Sequence, residues 1–491
     1  MLTGGLLTAA FVATRLALLW RFPLFIDETG FASFARDVHA NLGLFFIAES
    51  DHKGLLPSWM GATLIGAGIA PITAMRLLAA GGAALAAICG GLVMRRLFGL
   101  REGICTAGLI ALGPYFLVTA STGLYDAMVT GLVAAAVLVA LWLTHRPRLR
   151  TAILLGVILG AGGLTKTTAW AAVLVMPVTL LLFDFASPQV RRRLLEWSGY
   201  SGLAVALGYA ITAISRLTPY YDEPTTAWNY RGFGQISGLA ALSNGIWIVA
   251  SLVEYLTIPG TVLAIAGAVV AWRRNRGAAA VLIVWAVAVI VSAILLPRWP
   301  NPRYYATAMV PIAGFVVLGE LALWSRVVGS WRRGAASGRI AAGTVDLATL
   351  LPAALFNLQV LADPVHAAYP GKDEDQYVKS PGALPYLGEI AQEIKSRGGP
   401  YPVQIDAGPY PADRLDIGPY GLDLMLNGDK IGSNVRFRVV FHGTPAQRAA
   451  ARYVLTDGEH SDAPPRPGLT LIRRIARSNG GAVMRLYVRT G

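Results

Sequence analysis

The sequence predicts a polytopic α-helical membrane protein of about 11 transmembrane helices plus interface helices, closed by a C-terminal soluble α/β or α+β domain. Three observations lead there. The 491 residues are 55% hydrophobic and only 14% charged, against the roughly 25% charged residues of soluble domains. Apolar runs long enough to cross a bilayer recur from the N-terminus to residue 360. Beyond that point the composition turns to Pro, Gly and mixed charge.

Taken in order, the apolar runs fall near 2–20, 72–94, 104–120, 127–144, 151–165, 169–185, 198–215, 252–272, 277–297, 304–326 and 340–360. The first is too long for a signal peptide and has no small-residue cleavage site behind it, so it is expected to stay as a span. "GLLPSWMGATLIGAG" (54–68) and "GQISGLAALSNGIWIVA" (234–250) are shorter, Gly-broken and Trp-bearing. Both are expected to lie in the outer interface. Residues 361–491 carry short β-rich runs such as "RYVLTD" and "AVMRLYV" and a helix-like "YLGEIAQEIKSR". The chain thus divides into a membrane domain, 1–360, and an extracytoplasmic soluble domain, 361–491.

Charge fixes the expected orientation. The net charge is +14, and residues 1–360 hold 26 Lys/Arg against 14 Asp/Glu, so the membrane domain carries 12 of it. The loops "RRLFGLRE", "HRPRLR", "SPQVRRR", "WRRNR" and "SRVVGSWRRGAASGR" all fall on one side. That side is the cytoplasm, with the N-terminus. Nothing in this distribution calls for a nucleic-acid partner. Cys89 and Cys105 lie in or beside apolar runs, which argues against a disulfide framework or a thiolate metal site.

The opposite loops hold an unusual set of charges: Asp27 and Glu28, then Asp51, His52 and Lys53, Asp126, Lys166, Arg231, Arg298 and Arg303. Basic residues on the outer face run against the positive-inside tendency. Arg and Lys near the headgroup layer suit a phosphate. Carboxylates beside them suit proton abstraction from a hydroxyl or amine, or a divalent metal. Together they point to transfer of a group from a lipid phosphate.

"IDETGFASFARDV", "HKGLLPSW", "AMRLLAA", "RRLFG", "LGPYFLVTASTGLYDAMV", "GAGGLTKTTAWAAVLVMPV" and "NPRYYATAMVPIAG" follow one another in an order that resembles the membrane glycosyltransferases of GT-C fold, in the branch of the protein O-mannosyltransferases and the lipid A aminoarabinose transferases. The resemblance covers about residues 5–325. It implies a GT-C-like membrane body, a polyprenyl-phosphate sugar donor and an outward-facing site. It assigns Asp27 as general base, with Glu28 to orient it, bind a metal or contact acceptor, and Asp126 as the second acidic position. Lys53, Lys166 and Arg303 fall on its phosphate-binding positions, with Arg231 and Arg298 in support. His52, Tyr125 and Tyr304 are expected to contact acceptor or sugar. In "HKGLLPSW" the family's proline pair after the basic residue is replaced by Gly and Leu.

The implied reaction is transfer of the sugar, with inversion, to a glycan, lipid or protein acceptor. No cofactor is certain from the resemblance, and a divalent metal held by Asp27, Glu28 and Asp126 stays open. Two alternatives stay open: an O-antigen ligase or polymerase acting on lipid-linked glycans, and a lipid or solute transporter. The transporter reading calls for charge inside the spans, where only Glu254, Glu320 and Asp346 qualify, each near a predicted end. Ala, Gly and Arg usage points to a bacterial inner membrane.

Overall fold

The computed structural model describes residues 2–46, 54–183, 185, 189–217, 238–295, 301–331, 336–379, 387–398, 403–406, 419–430, 437–440, 445–458, 467–476 and 483–489. The membrane body begins with α1 (Leu2–Leu18), α2 (Ile26–Ala40), α3 (Leu55–Gly66), α4 (Pro71–Leu97) and α5 (Leu100–Leu112). It continues through α6 (Pro114–Thr119), α7 (Tyr125–His145), α8 (Leu149–Thr165), α9 (Ala171–Val175) and α10 (Val190–Ala213). Four long helices follow, Gly238–Arg274, Arg276–Leu295, Met309–Trp331 and Ala336–Ala362.

Among the described residues each of the eleven expected spans is largely helical, and several are broken where the sequence supplies a reason. Gly113 and Pro114 separate α5 from α6, and Pro177 starts a 3₁₀ turn after α9. Proline has no N–H to continue the ladder. Five described stretches are long and apolar enough to cross a membrane: Pro71–Leu97, Tyr125–His145, Gly238–Arg274, Arg276–Leu295 and Pro302–Arg326. Gly5–Leu18, Leu55–Gly66, Leu149–Thr165, Thr167–Leu182 and Leu350–Ala362 are shorter apolar helices. Helical structure runs from Gly238 into the 252–272 span, so the expected interface helix and span are two limbs of one element, meeting at Thr257 (φ 63°, ψ 165°). Pro259 follows two residues later.

Helix α7 is the hub, almost wholly buried against α4 and α8. It approaches α4 closely because Gly82 faces it, where a Cβ would overlap the Met128 backbone. Small residues at such crossings let membrane helices gain packing energy without a hydrophobic driving force between them. The outer circumference is apolar instead: Leu6, Ile88, Leu92, Ile153, Val157, Leu203, Val262, Ile265 and Val287 are exposed. Exposed apolar surface on this scale fits lipid, and the chain is an integral membrane protein.

The C-terminal part forms a five-stranded sheet in the order β2–β1–β3–β5–β4, from β1 (Val403–Asp406), β2 (Phe437–Val440), β3 (Tyr453–Gly458), β4 (Leu469–Ala476) and β5 (Val483–Arg489). β1 is parallel to β2 and β3, whereas β5 is antiparallel to β3 and β4. The amphipathic helix Leu387–Arg397 lays Leu387, Ile390, Ala391 and Ile394 on Tyr453, Leu455, Met484 and Leu486. Leu24, from the loop before α2, enters the same core. Arg36 on α2 is buried and bonds Asp423 of the Pro419–Asn427 helix at 2.5 Å. The soluble domain therefore sits on the helix that begins with the paired carboxylates.

Candidate active site

Asp27 and Glu28 lie in the first turn of α2. Acidic residues are favoured there by the helix dipole, yet neither caps the helix: Phe25 is the N-cap and makes no side-chain cap bond. Asp126 likewise follows Leu124, the N-cap of α7. All three carboxylates pair with cations instead, each with a different one.

Arg303 Nη2 donates to Asp27 Oδ2 at 2.7 Å. Lys166, the C-cap of α8, donates from Nζ to Asp126 Oδ1 at 2.6 Å. The Tyr304 ring is shared by the two cations, its centroid 4.9 Å from the Lys166 ammonium and 5.5 Å from the Arg303 guanidinium. Phe25 offers a second ring to Arg303 at 5.5 Å. Five sequence-assigned residues from four separate segments thus form one cluster of carboxylate, guanidinium, phenol, ammonium and carboxylate. Asp27 and Lys166 remain partly accessible, at 26% and 18% of their side-chain surface. Cations in partly accessible pairs with carboxylates, and with aromatic faces to steady them, can exchange a carboxylate for a phosphate.

Glu28 is different. It is fully buried, and Arg76 of α4 donates to Oε1 from Nε at 2.5 Å and to Oε2 from Nη2 at 3.0 Å. The Gly123 N–H adds a third bond to Oε1 at 2.8 Å, and Arg76 also donates to the carbonyls of Leu19, Phe22 and Pro23. Both oxygens are committed, so Glu28 ties α2, α4 and the turn before α7 together. Arg76 was given no role by the sequence reading, although an arginine in an apolar helix must find a partner. Among the described residues no group of three or more His, Cys, Asp or Glu side chains could hold a metal ion.

Tyr125 is buried, stacked on Phe31 at 3.8 Å between centroids, with its hydroxyl 3.3 Å from Ser58 Oγ. It supports the site from behind. Lys53, His52, Arg231 and Arg298 lie outside the described residues. Gly54, next after Lys53, is pressed on the end of α8, where a Cβ would overlap the Thr165 carbonyl. A residue larger than glycine at position 54 would not fit against the end of α8.

The segment after the last long helix also reaches this region. Asp373 and Tyr377 are buried, and Tyr377 packs edge-on against Phe22 and Phe25, at 6.2 and 5.5 Å between centroids. Burial pushes the Asp373 carboxyl up to about 7, against the opposing pull of the Tyr255 hydroxyl and the Arg303 charge. Sequence reasoning missed both residues.

An apolar helical body with a small sheet domain seated over a charged rim is the plan of the GT-C fold, and the chain has that fold. Residues 52–215 match the family described as dolichyl-phosphate-mannose-protein mannosyltransferase. ArnT from Cupriavidus metallidurans in the apo state superposes with a TM-score of 0.59 at 15% identity, over 98% of this chain and 97% of that one. The same protein bound to undecaprenyl phosphate gives 0.59 at 16% identity, over 98% and 97%. The oligosaccharyltransferase AglB from Archaeoglobus fulgidus, in complex with an inhibitory peptide and a dolichol-phosphate, gives 0.52 at 13% identity, over 92% of this chain and 69% of that one. A comparison by sequence with curated proteins gives no match.

Proposed function

We propose that the chain is a glycosyltransferase that moves a sugar from a polyprenyl-phosphate donor to a glycan, lipid or protein acceptor at the outer face of the membrane, with inversion and with Asp27 as general base. The observation that carries this reading is the cluster in which Arg303 and Lys166 share the Tyr304 ring, each cation held by a carboxylate. Support for a polyprenyl-phosphate carrier comes from the like-folded proteins that bind undecaprenyl phosphate and dolichol-phosphate.

A donor phosphate arriving at the cluster competes with Asp27 and Asp126 for Arg303 and Lys166. The guanidinium binds phosphate through two parallel bonds, which a single Asp27 contact does not match. As Arg303 turns to the phosphate, Asp27 is released to accept a proton. The acceptor oxygen or nitrogen attacks the anomeric carbon, the bond from that carbon to the phosphate oxygen breaks, and the electron pair leaves with polyprenyl phosphate. The acceptor's proton ends on Asp27. Arg303 and Lys166, joined by Lys53, Arg231 and Arg298, stabilise the charge gathering on the leaving phosphate, a term that commonly dominates catalysis. Glu28 keeps the frame. The N-terminus is cytoplasmic, and the domain 361–491 stands outside a bacterial inner membrane, over the acceptor's approach.

The test is consumption of radiolabelled polyprenyl-phosphate sugars by the purified full chain in detergent, beside Asp27→Asn. Turnover of one donor, lost in a variant that still elutes as a folded species, supports the reading. No consumption of any donor, or an Asp27→Asn variant as active as wild type, overturns it.

A further inference from the structure

The chain returns to the outer rim after the Ala336–Ala362 helix, and its return is anchored at two adjacent residues. The Gly371 N–H donates to Glu254 Oε2 at 3.2 Å, and the Tyr255 hydroxyl donates to Asp373 Oδ2. Both anchors sit immediately before Thr257, the one described non-glycine residue with positive φ. A left-handed threonine is strained and persists only where its surroundings hold it. The break in the Gly238–Arg274 helix aims Glu254 and Tyr255 at the returning segment.

Three neighbouring side chains in this corner carry buried polar atoms without a hydrogen-bond partner: Asp373 Oδ1, the Tyr377 hydroxyl and Arg303 Nε. Asp373 is within electrostatic reach of Arg303, and Tyr377 within reach of Asp373, Arg303, Asp126 and Asp27. Phe25 neighbours both Tyr377 and Arg303, its ring centroid 5.5 Å from the Tyr377 ring and 5.5 Å from the Arg303 guanidinium. Buried polar groups in folded proteins are almost always paired. Three unpartnered atoms on side chains within electrostatic reach of one another, beside the proposed reaction centre, mark a place that a polar ligand completes.

The donor set decides which ligand. A carboxylate oxygen that accepts, a phenol that donates or accepts and a guanidinium edge that donates match a neutral polyol or an amino sugar. They do not suit a phosphate, which calls for several converging donors and finds here a carboxyl, a phenol and one guanidinium edge. Phosphate is thereby kept to the Lys166 side of Arg303, and the other side is left for the sugar. Tyr255, which holds Asp373, is itself backed edge-on by Tyr115 at 5.0 Å between centroids, and Tyr115 stacks on Tyr305 at 5.6 Å, so the carboxyl is fixed by a buried aromatic wall.

We infer that Asp373 and Tyr377 form the donor-sugar subsite, the carboxylate accepting a hydrogen bond from a hydroxyl or amine of the sugar and the Tyr377 hydroxyl pairing with a second ring substituent. The inference rests on the transferase reading given above. It makes the juxtamembrane segment, outside the stretch that resembles the family, the part of the chain that selects the sugar.

Asp373→Asn and Tyr377→Phe are compared with wild type for KM of the sugar donor and for Kd of sugar-free undecaprenyl phosphate, on the full chain in detergent. The expected result is a rise of about tenfold in donor KM for each variant, with carrier Kd unchanged. A site built to pair a polar group rejects ligands that leave it unpaired. Unchanged donor KM overturns the subsite, as does a loss of carrier affinity equal to the loss for donor, which would make the segment a support for Arg303. If Asp373→Asn does not fold, Tyr377→Phe decides alone, because it keeps the ring contact with Phe25. Failure of wild type to consume any donor overturns the transferase reading and the subsite together; wild-type turnover with indifferent variants overturns the subsite only.

Discussion

Arg303 and Asp27 are 276 positions apart in the chain and joined by a 2.7 Å hydrogen bond. That bond brings the entry of a late span onto the first turn of α2. Each partner is the other's competitor for substrate, since a phosphate draws Arg303 and an acceptor proton draws Asp27. On the proposed reading the pair is a resting arrangement that donor binding opens.

Asp27→Asn keeps the shape and a hydrogen-bond acceptor for Arg303 while removing the base. Turnover is expected to fall by about 10²–10⁴-fold, the usual share of general-base catalysis. Binding of undecaprenyl phosphate is expected to hold or tighten, because Arg303 no longer has a charged competitor. Single-turnover rates and carrier titration on the same preparation check both halves. A turnover loss below about tenfold would remove Asp27 from the chemistry.

Lys166 and Asp126 form the second rim pair, with Asp126 the more buried partner. Lys166→Met strands the Asp126 carboxylate, and an uncompensated buried charge is costly. Its thermal midpoint should drop, and carrier affinity should weaken by about 10–100-fold, in the range of a lost charge-assisted bond. The double variant Asp126→Asn, Lys166→Met should regain most of the midpoint but none of the affinity. Recovery of both would show that Lys166 serves packing alone.

Glu28 and Arg76 are almost wholly inaccessible, at 0% and 2% of their side-chain surface. Breaking such a pair typically costs about 3–5 kcal/mol. Glu28→Gln or Arg76→Met is expected to lower expression and thermal midpoint sharply, with whatever folds retaining donor KM. A well-folded Glu28→Gln protein with abolished turnover would return Glu28 to the reaction itself.

The legible part of the site consists of residues whose neighbours announce them. Asp27, Asp126, Lys166 and Arg303 stand at the ends of apolar runs, where a charge is conspicuous and the outer side follows from the basic loops opposite. Membrane helices were equally plain, because about 20 apolar residues leave few other readings. Arg76 was missed because its carboxylate partner lies 48 positions away and the helix between them hides the pairing. Asp373 was missed for the opposite reason: "GKDEDQYVK" reads as a solvated loop, and only the tertiary return of that segment to Tyr255 buries it. The break at Thr257 had Pro259 as its single local signal.

Asp373 also leaves a thermodynamic signature independent of any substrate. Its carboxyl is raised from 3.8 to about 7 by burial, so between those values the folded protein keeps a proton that the unfolded chain has lost. Stability then falls as pH rises through that window and levels off above it. Asp373→Asn cannot titrate, and its amide remains within reach of the Tyr255 hydroxyl. The difference in thermal midpoint, variant minus wild type, should therefore grow in the variant's favour from about pH 4 to pH 7 and stay flat beyond. Midpoints measured in one detergent at constant ionic strength across that range provide the check. A difference independent of pH would mean that Asp373 is solvated in the folded protein, and the corner beside Arg303 would then be open to water.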